Sequence, residues 1–135
     1  ELGGVVKVHT DLKLFRLIVQ NLVDNATKFG NEGTDVVVRL SVLAGTDARP
    51  GLRLAVTDQG VGIPIAAQAR IFERFYQVDM SRSGQQQRRG TGLGLAIVKH
   101  AVKSLGGTIS VESVWQQGTT MTVELPDAVA EQAEA

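Results

Sequence analysis

The run Arg89-Gly90-Thr91-Gly92-Leu93-Gly94-Leu95-Ala96-Ile97-Val98 constrains this chain more than any other segment. Glycines alternate through a turn, and an apolar pattern of helical spacing begins at once. A glycine turn lets backbone N–H groups approach an anion closely, and the helix start adds a partial positive charge. The ligand expected there is a phosphate. A glycine-rich helix start can also be no more than a tight turn, so the reading depends on what the rest of the chain offers.

At 135 residues the chain is long enough for one domain with a real core. Apolar residues make up 43% and the formal net charge is zero, so bulk charge steers it toward neither nucleic acid nor membrane. The absence of cysteine excludes disulfides and thiolate chemistry. His9 and His100 lie far apart and carry no metal-ligand spacing. No apolar run approaches the roughly 20 residues that span a bilayer, and no signal peptide opens the chain. A start at Glu1 rather than Met is what a piece of a longer protein would have. A cytoplasmic setting without nucleic-acid or direct membrane contact is expected.

Val5 to Val8 read as a short strand. Thr10 or Asp11 can cap a helix in which Leu12, Phe15, Val19, Leu22 and Ala26 recur at helical spacing, with Gly30 ending it. From Asp35 to Leu43 the chain alternates, with Val36, Val38, Leu40 and Val42 on one face. Leu52 to Thr57 alternates again, which predicts an antiparallel pair. A glycine loop over Asp58 to Pro64 leads to a short helix, Ile65 to Phe72. Asp79 to Gly92 is nearly devoid of apolar residues and is expected to be a lid or a disordered tip. A last long helix, Leu93 to Leu105, ends at Gly106-Gly107, and Thr108 to Ser113 pairs with Thr119 to Leu125 as a hairpin. The pattern predicts an α+β fold: a two-layer α/β sandwich with a mixed sheet of about five strands and helices on one face. Residues 1–126 form the domain, and 127–135 are expected to be a frayed tail.

Asn21, Asn25, Lys28 and Phe29 fall on one stripe of the first helix, bordering its apolar face. Two amides stand where solvated Lys and Glu would be usual. They are either boundary residues satisfied by nearby backbone or a ligand edge, where an amide oxygen suits Mg²⁺ and Lys28 supplies charge to phosphates. Asp58 continues the parity of Leu52, Leu54 and Val56, so its carboxylate aims inward. Buried charge is costly unless partnered. Asp58 is therefore either bonded to turn amides or poised for a ligand's N–H donor, with the glycines admitting a flat ring.

Together these segments resemble sensor histidine kinases. Asn21-Leu-Val-Asp-Asn25-Ala-Thr-Lys28-Phe29 looks like their N box, and Asp58-Gln-Gly60-Val-Gly62-Ile63-Pro their G1 box. Ile71-Phe72-Glu-Arg-Phe75-Tyr resembles the F box and Gly90-Thr91-Gly92-Leu93-Gly94-Leu95 the G2 box, while Gly118-Thr119-Thr120 resembles a weaker last glycine motif. The resemblance covers about Val5 to Pro126, with order and spacing matched. It implies the Bergerat-type ATP-binding sandwich shared with gyrase-type, Hsp90-type and MutL-type ATPases, with ATP and Mg²⁺ as cofactors. By position, Asn25 is the implied Mg²⁺ ligand, and Asn21 and Lys28 face the phosphates. Phe29 stacks on adenine and Asp58 accepts from its amine. Gly60, Gly62 and Ile63 border the base, and Thr91, Gly92, Leu93, Gly94 and Leu95 cradle the phosphates. Phe72 and Phe75 are lid anchors or plain core.

One departure is visible. Many of these kinases carry an arginine after the F box that touches the terminal phosphate; here Gln77 stands there, and Arg82 is the candidate replacement. Gyrase-type, Hsp90-type and MutL-type relatives, and the related serine kinases, have a glutamate where this chain has Asn21, and an amide cannot take a proton. The resemblance thus implies a protein-histidine kinase domain acting on a histidine of a separate dimerisation domain, for relay to a response regulator. Neither His9 nor His100 lies in an acceptor-like helix motif, so the substrate histidine is expected elsewhere and the isolated domain is expected to be monomeric. The alternative is a transfer-deficient ATP-binding scaffold of the same fold, which Gln77 keeps open.

Overall fold

The computed structural model describes residues 5–30, 33–43, 51–73, 94–126 and 129–133. The long helix α1, Leu12–Phe29, begins where the capping residues predict: the Asp11 carboxylate accepts from the Leu14 N–H at 3.1 Å. Ile18, Leu22 and Ala26, four residues apart, form its buried stripe. The Gly30 N–H closes the last turn on the Ala26 carbonyl at 2.7 Å.

The main sheet contains β2 (Val37–Leu43), β3 (Gly51–Asp58), β4 (Thr108–Val114) and β5 (Gly118–Leu125), in the order β2-β3-β5-β4. All three ladders are antiparallel, which corrects the mixed sheet expected. A crossover through the helices does bring β3 and β4 into the same direction, but β5 is inserted between them and opposes both. The β2–β3 antiparallel pair and the β4–β5 hairpin are as predicted.

Two further expectations are corrected. The segment expected to fray after Pro126 forms β6, Val129–Ala133, antiparallel to β1, Val5–His9, as a separate two-stranded sheet. Strand β1 has an edge whose N–H and C=O groups need partners, and the tail supplies them. The helix α2 spans only Ile65–Gln68 rather than running to Phe72. Beyond it, Arg70 N–H bonds to Ala67 O and Glu73 N–H to Arg70 O, tightened turns three residues apart that bring Ile71 into the core. The last helix, α3, is Gly94–Ser104, closed by the Gly107 N–H on the Val102 carbonyl at 2.9 Å.

The helices cover one face of the sheet. Ile18, Leu22 and Ala26 of α1 and Val98, Ala101 and Val102 of α3 share one core with Leu52, Leu54 and Val56 of β3 and Met121, Val123 and Leu125 of β5. The other face is polar, with Arg53 and Glu124 paired across strands at 2.6 Å and the Thr57 and Thr120 hydroxyls bonded at 2.9 Å. Such one-sided burial is what an antiparallel sheet permits.

Burial falls off toward β2. Leu40 lies directly opposite Leu54, yet it is 42% exposed while Leu54 is fully buried. Truncating both to alanine therefore separates core from margin. Leu54→Ala should lower the unfolding free energy by about 2–5 kcal/mol in urea titrations, and Leu40→Ala by clearly less. Equal losses would contradict this layering.

Candidate functional site

Strand β3 delivers Asp58 to the helix-covered face, as its parity predicts, and it is only 6% exposed. Its carboxylate accepts from the Gly60 N–H at 2.8 Å and from the Thr119 backbone N–H. Burial raises its pKa above the ordinary 3.8, and those two backbone bonds oppose the rise. A carboxylate so placed is a strong acceptor with capacity left for a ligand's donor.

The loop after Asp58 is tied to the β4–β5 hairpin. Ile63 N–H donates to Ser113 Oγ at 2.7 Å, Gln116 N–H donates to the Val61 carbonyl, and Gln68 Nε2 donates to the Ile63 carbonyl at 2.8 Å. Two glycines make this approach possible. Gly62 sits at φ +79°, where a Cβ would collide with the Val114 carbonyl; Gly118 sits at φ +141°, where a Cβ would collide with the Asp58 carbonyl.

The amide stripe of α1 lies between this floor and the start of α3. At one end Gly30 lies against Asp58, whose Cβ is 3.7 Å from the position a Cβ on Gly30 would take. Toward the other, Asn21 Oδ1 lies 3.4 Å from the corresponding position on Gly94. Asn21 Nδ2 donates to the Leu17 carbonyl at 2.8 Å, which orients the amide with its oxygen toward the first residue of α3. Asn25 is half-buried one turn along, and Lys28 is exposed in the last turn. From Asn21 to Gly30 the helix rises about 13 Å, at 1.5 Å per residue.

The structure thus brings Asp58 against the C-terminal end of α1 and Asn21 against Gly94, with Asn25 between them on the helix, while Ile63 and Leu95 pack against the core. The Phe29 side chain lies outside the described residues, as do Arg82, Thr91, Gly92 and Leu93, and with them Phe75, Gln77 and the lid or tip expected over 79–92. Phe72 is half-buried against the core, with the Lys99 ammonium 5.7 Å from its ring centre. His100 is exposed on α3, away from the buried stripe. The sequence reading passed over Ser113. The signal was there: it shares the inward parity of Ile109 and Val111, the same pattern that singled out Asp58.

The chain has clear relatives among known proteins. The family described as "Histidine kinase-, DNA gyrase B-, and HSP90-like ATPase" matches residues 10–129. Sensor histidine kinase AruS of Pseudomonas aeruginosa is 45% identical over 121 residues, covering 87% of this chain and 12% of its own. The sensor-like histidine kinase SenX3 of Mycolicibacterium smegmatis is 40% identical, covering 90% of this chain and 30% of its own. Among solved structures, the mycobacterial sensor histidine kinase MprB superposes with a TM-score of 0.72 at 35% identity, covering 87% of this chain and 74% of the other. Full-length ShkA in complex with AMPPNP superposes at 0.73 and 33% identity, covering 92% and 23% respectively. The chain belongs to the histidine kinase-, DNA gyrase B- and HSP90-like ATPase family. It spans less than a third of the length of those curated relatives.

The raised pKa of Asp58 has a stability consequence with a definite sign. The folded protein binds this proton more tightly than the unfolded chain, so the stabilisation is complete below 3.8 and is lost as pH rises through the folded value. Above the folded value the ionised, buried carboxylate therefore costs stability. Asp58→Asn removes that cost and leaves one oxygen to serve the Gly60 and Thr119 N–H groups. Without nucleotide, Asp58→Asn should melt higher than the parent at pH 7, with the gap closing as pH falls. A gap that widened on acidification would contradict the assignment.

Proposed function

We propose that this chain is the ATP-binding catalytic domain of a two-component sensor histidine kinase. It transfers the γ-phosphate of ATP to a histidine on a separate dimerisation and acceptor-helix domain, for relay to a response regulator. The observation that carries the reading is the half-buried amide stripe of α1 running between a buried acceptor, Asp58, and the start of α3. The stripe's rise of about 13 Å suits a nucleotide laid with its base at Asp58 and its phosphates at Gly94 and Leu95. Thr91, Gly92 and Leu93, the preceding residues of the glycine turn, would extend that phosphate cradle.

The donor set fits Mg²⁺ carried on the nucleotide. Among the described residues no group of three His, Cys, Asp or Glu is placed to hold a metal. An amide oxygen together with phosphate oxygens is a suitable hard set, with Asn25 as the protein ligand. When bound, the ion would offset charge on the phosphates. Asn21 turns its oxygen toward the same region, Lys28 adds positive charge, and Phe29 would stack on the base. Arg82 is the proposed γ-phosphate contact in place of Gln77.

Neither Asn21 nor Asn25 can act as a general base, so water is not activated and hydrolysis is slow. An imidazole brings its own nucleophilic nitrogen, and the domain's task reduces to positioning and charge stabilisation. Since the reaction draws on ATP, it belongs on the cytoplasmic side, and the domain is monomeric by itself.

Base selectivity is the first test. Adenine offers an amine to Asp58, where guanine presents a carbonyl oxygen to a buried acceptor. Calorimetry should give ATP or ADP an affinity at least about a hundredfold above GTP, and Asp58→Ala should erase that margin. Equal affinities would remove the pocket assignment.

Transfer is the second. Supplied with its dimeric acceptor domain, the chain should place acid-labile phosphate on that domain's histidine, and Asn25→Ala should abolish labelling. Alone it should neither label itself, whether parent or the His9→Gln, His100→Gln double variant, nor release phosphate at a sustained rate. Good ATP binding without transfer to a folded acceptor would favour the scaffold function instead.

A further inference from the structure

Ser113 stands where three groups converge. Its Oγ receives the Ile63 N–H at 2.7 Å, lies 3.1 Å from the Gly118 carbonyl, and lies 2.8 Å from Thr119 Oγ1. A hydroxyl has one proton and two lone pairs. The Ile63 N–H can only donate and the Gly118 carbonyl can only accept. The serine proton therefore goes to Gly118, and the remaining lone pair of Ser113 takes the proton of Thr119. All three bonds are satisfied in this one arrangement, and no buried side-chain nitrogen or oxygen among the described residues lacks a partner.

This arrangement spends the only proton Thr119 has. Its oxygen is left as an acceptor, buried at 6% exposure and directly opposite Asp58 on the same sheet face. Directly opposed residues have Cβ atoms about 5 Å apart, so two acceptors face one small volume at the floor of the cleft. Were the Thr119 proton free to turn, it could donate to Asp58 or to a carbonyl-bearing base, and the floor would lose its one-sided polarity. The same serine, through Ile63, also holds the far end of the 59–63 loop.

We propose that Ser113 is a positioning residue for base selection: by holding the Thr119 hydroxyl proton, it keeps the floor beside Asp58 an acceptor surface that admits amine-bearing bases and rejects carbonyl-bearing ones. The inference rests on the adenine reading above. It adds that selectivity resides partly in a residue that does not touch the nucleotide.

The test compares ADP with inosine diphosphate, which carries a carbonyl in place of the amine, by calorimetry on the parent and on four variants. In Ser113→Ala the ADP-to-IDP affinity ratio should fall about tenfold, mostly by a gain for IDP. Ser113→Thr, which keeps the hydroxyl on a residue suited to a strand, should restore the ratio. In a Thr119→Val background, Ser113→Ala should leave the ratio unchanged, because no threonine proton remains to be released. Equal losses for both ligands in Ser113→Ala would make the serine merely structural and overturn the proposal, as would a further change of ratio in the Thr119→Val background. A parent with no preference for ADP would instead overturn the adenine reading itself. Should Ser113→Ala fail to fold, NMR of the parent decides the point. A Thr119 hydroxyl proton protected from exchange and close to the Ser113 β-protons supports the proposal, and one directed at Asp58 overturns it.

Discussion

The ladder between β3 and β5 carries both the core and the site. Leu52 faces Leu125, Leu54 faces Val123 and Val56 faces Met121, all six buried under the helices. The next inward pair along the same register is Asp58 and Thr119. Three apolar rungs fix the register, because a one-residue slip would turn every one of these side chains to the solvated face. The polar rung inherits that precision. A buried carboxylate is tolerable only where its donors arrive reliably, and here the same ladder brings in the Thr119 N–H.

The cost of this arrangement is local. Asp58 is held in a place that disfavours its charge. Stability surrendered at such a point is common where a site must be ready for its ligand. The glycines at 62 and 118 belong to the same device, since they let loop and hairpin approach closely enough to lock Asp58 from both sides. Across the cleft, Asn21 is oriented by a different means. Its amide nitrogen is anchored within its own helix, so the direction of its oxygen follows from α1 alone. One wall is thus set by strand register and the other by helix geometry.

Much of this was legible in the residues. The cap at Asp11 and the stop at Gly30 are local signals that appear where the residues put them; of the predicted stripe Leu22 and Ala26 are buried, while Leu12 is 64% exposed and Ile18, outside that prediction, is the fully buried position. The inward aim of Asp58 follows from alternation. The expectations that needed correction all depended on distant pairing. Strand β5 lies between β3 and β4, which makes the sheet antiparallel throughout, and residues 129–133 find β1 across nearly the whole chain. Neither fact has a signature within a window of ten residues. The short α2 is a similar case, since bringing Ile71 into the core outweighed continuing the helix.

By itself the amino-acid sequence determined the parts list: an amide stripe on a helix, an inward acid before a glycine loop, and a glycine-rich run ahead of a second helix. Their order was enough to reveal the family. Only the tertiary structure decided how the polar floor is wired. Ile63 and Ser113 are separated by 50 residues, and Thr57 and Thr120 by 63, yet each pair is in hydrogen-bond contact. In the arrangement proposed above, the direction of one threonine proton depends on a serine whose own proton goes to Gly118. The reason is physical: periodicity along a chain says which face a side chain takes, whereas a hydrogen bond needs a partner's position to within a few tenths of an ångström. That position is set by the packed core beneath it.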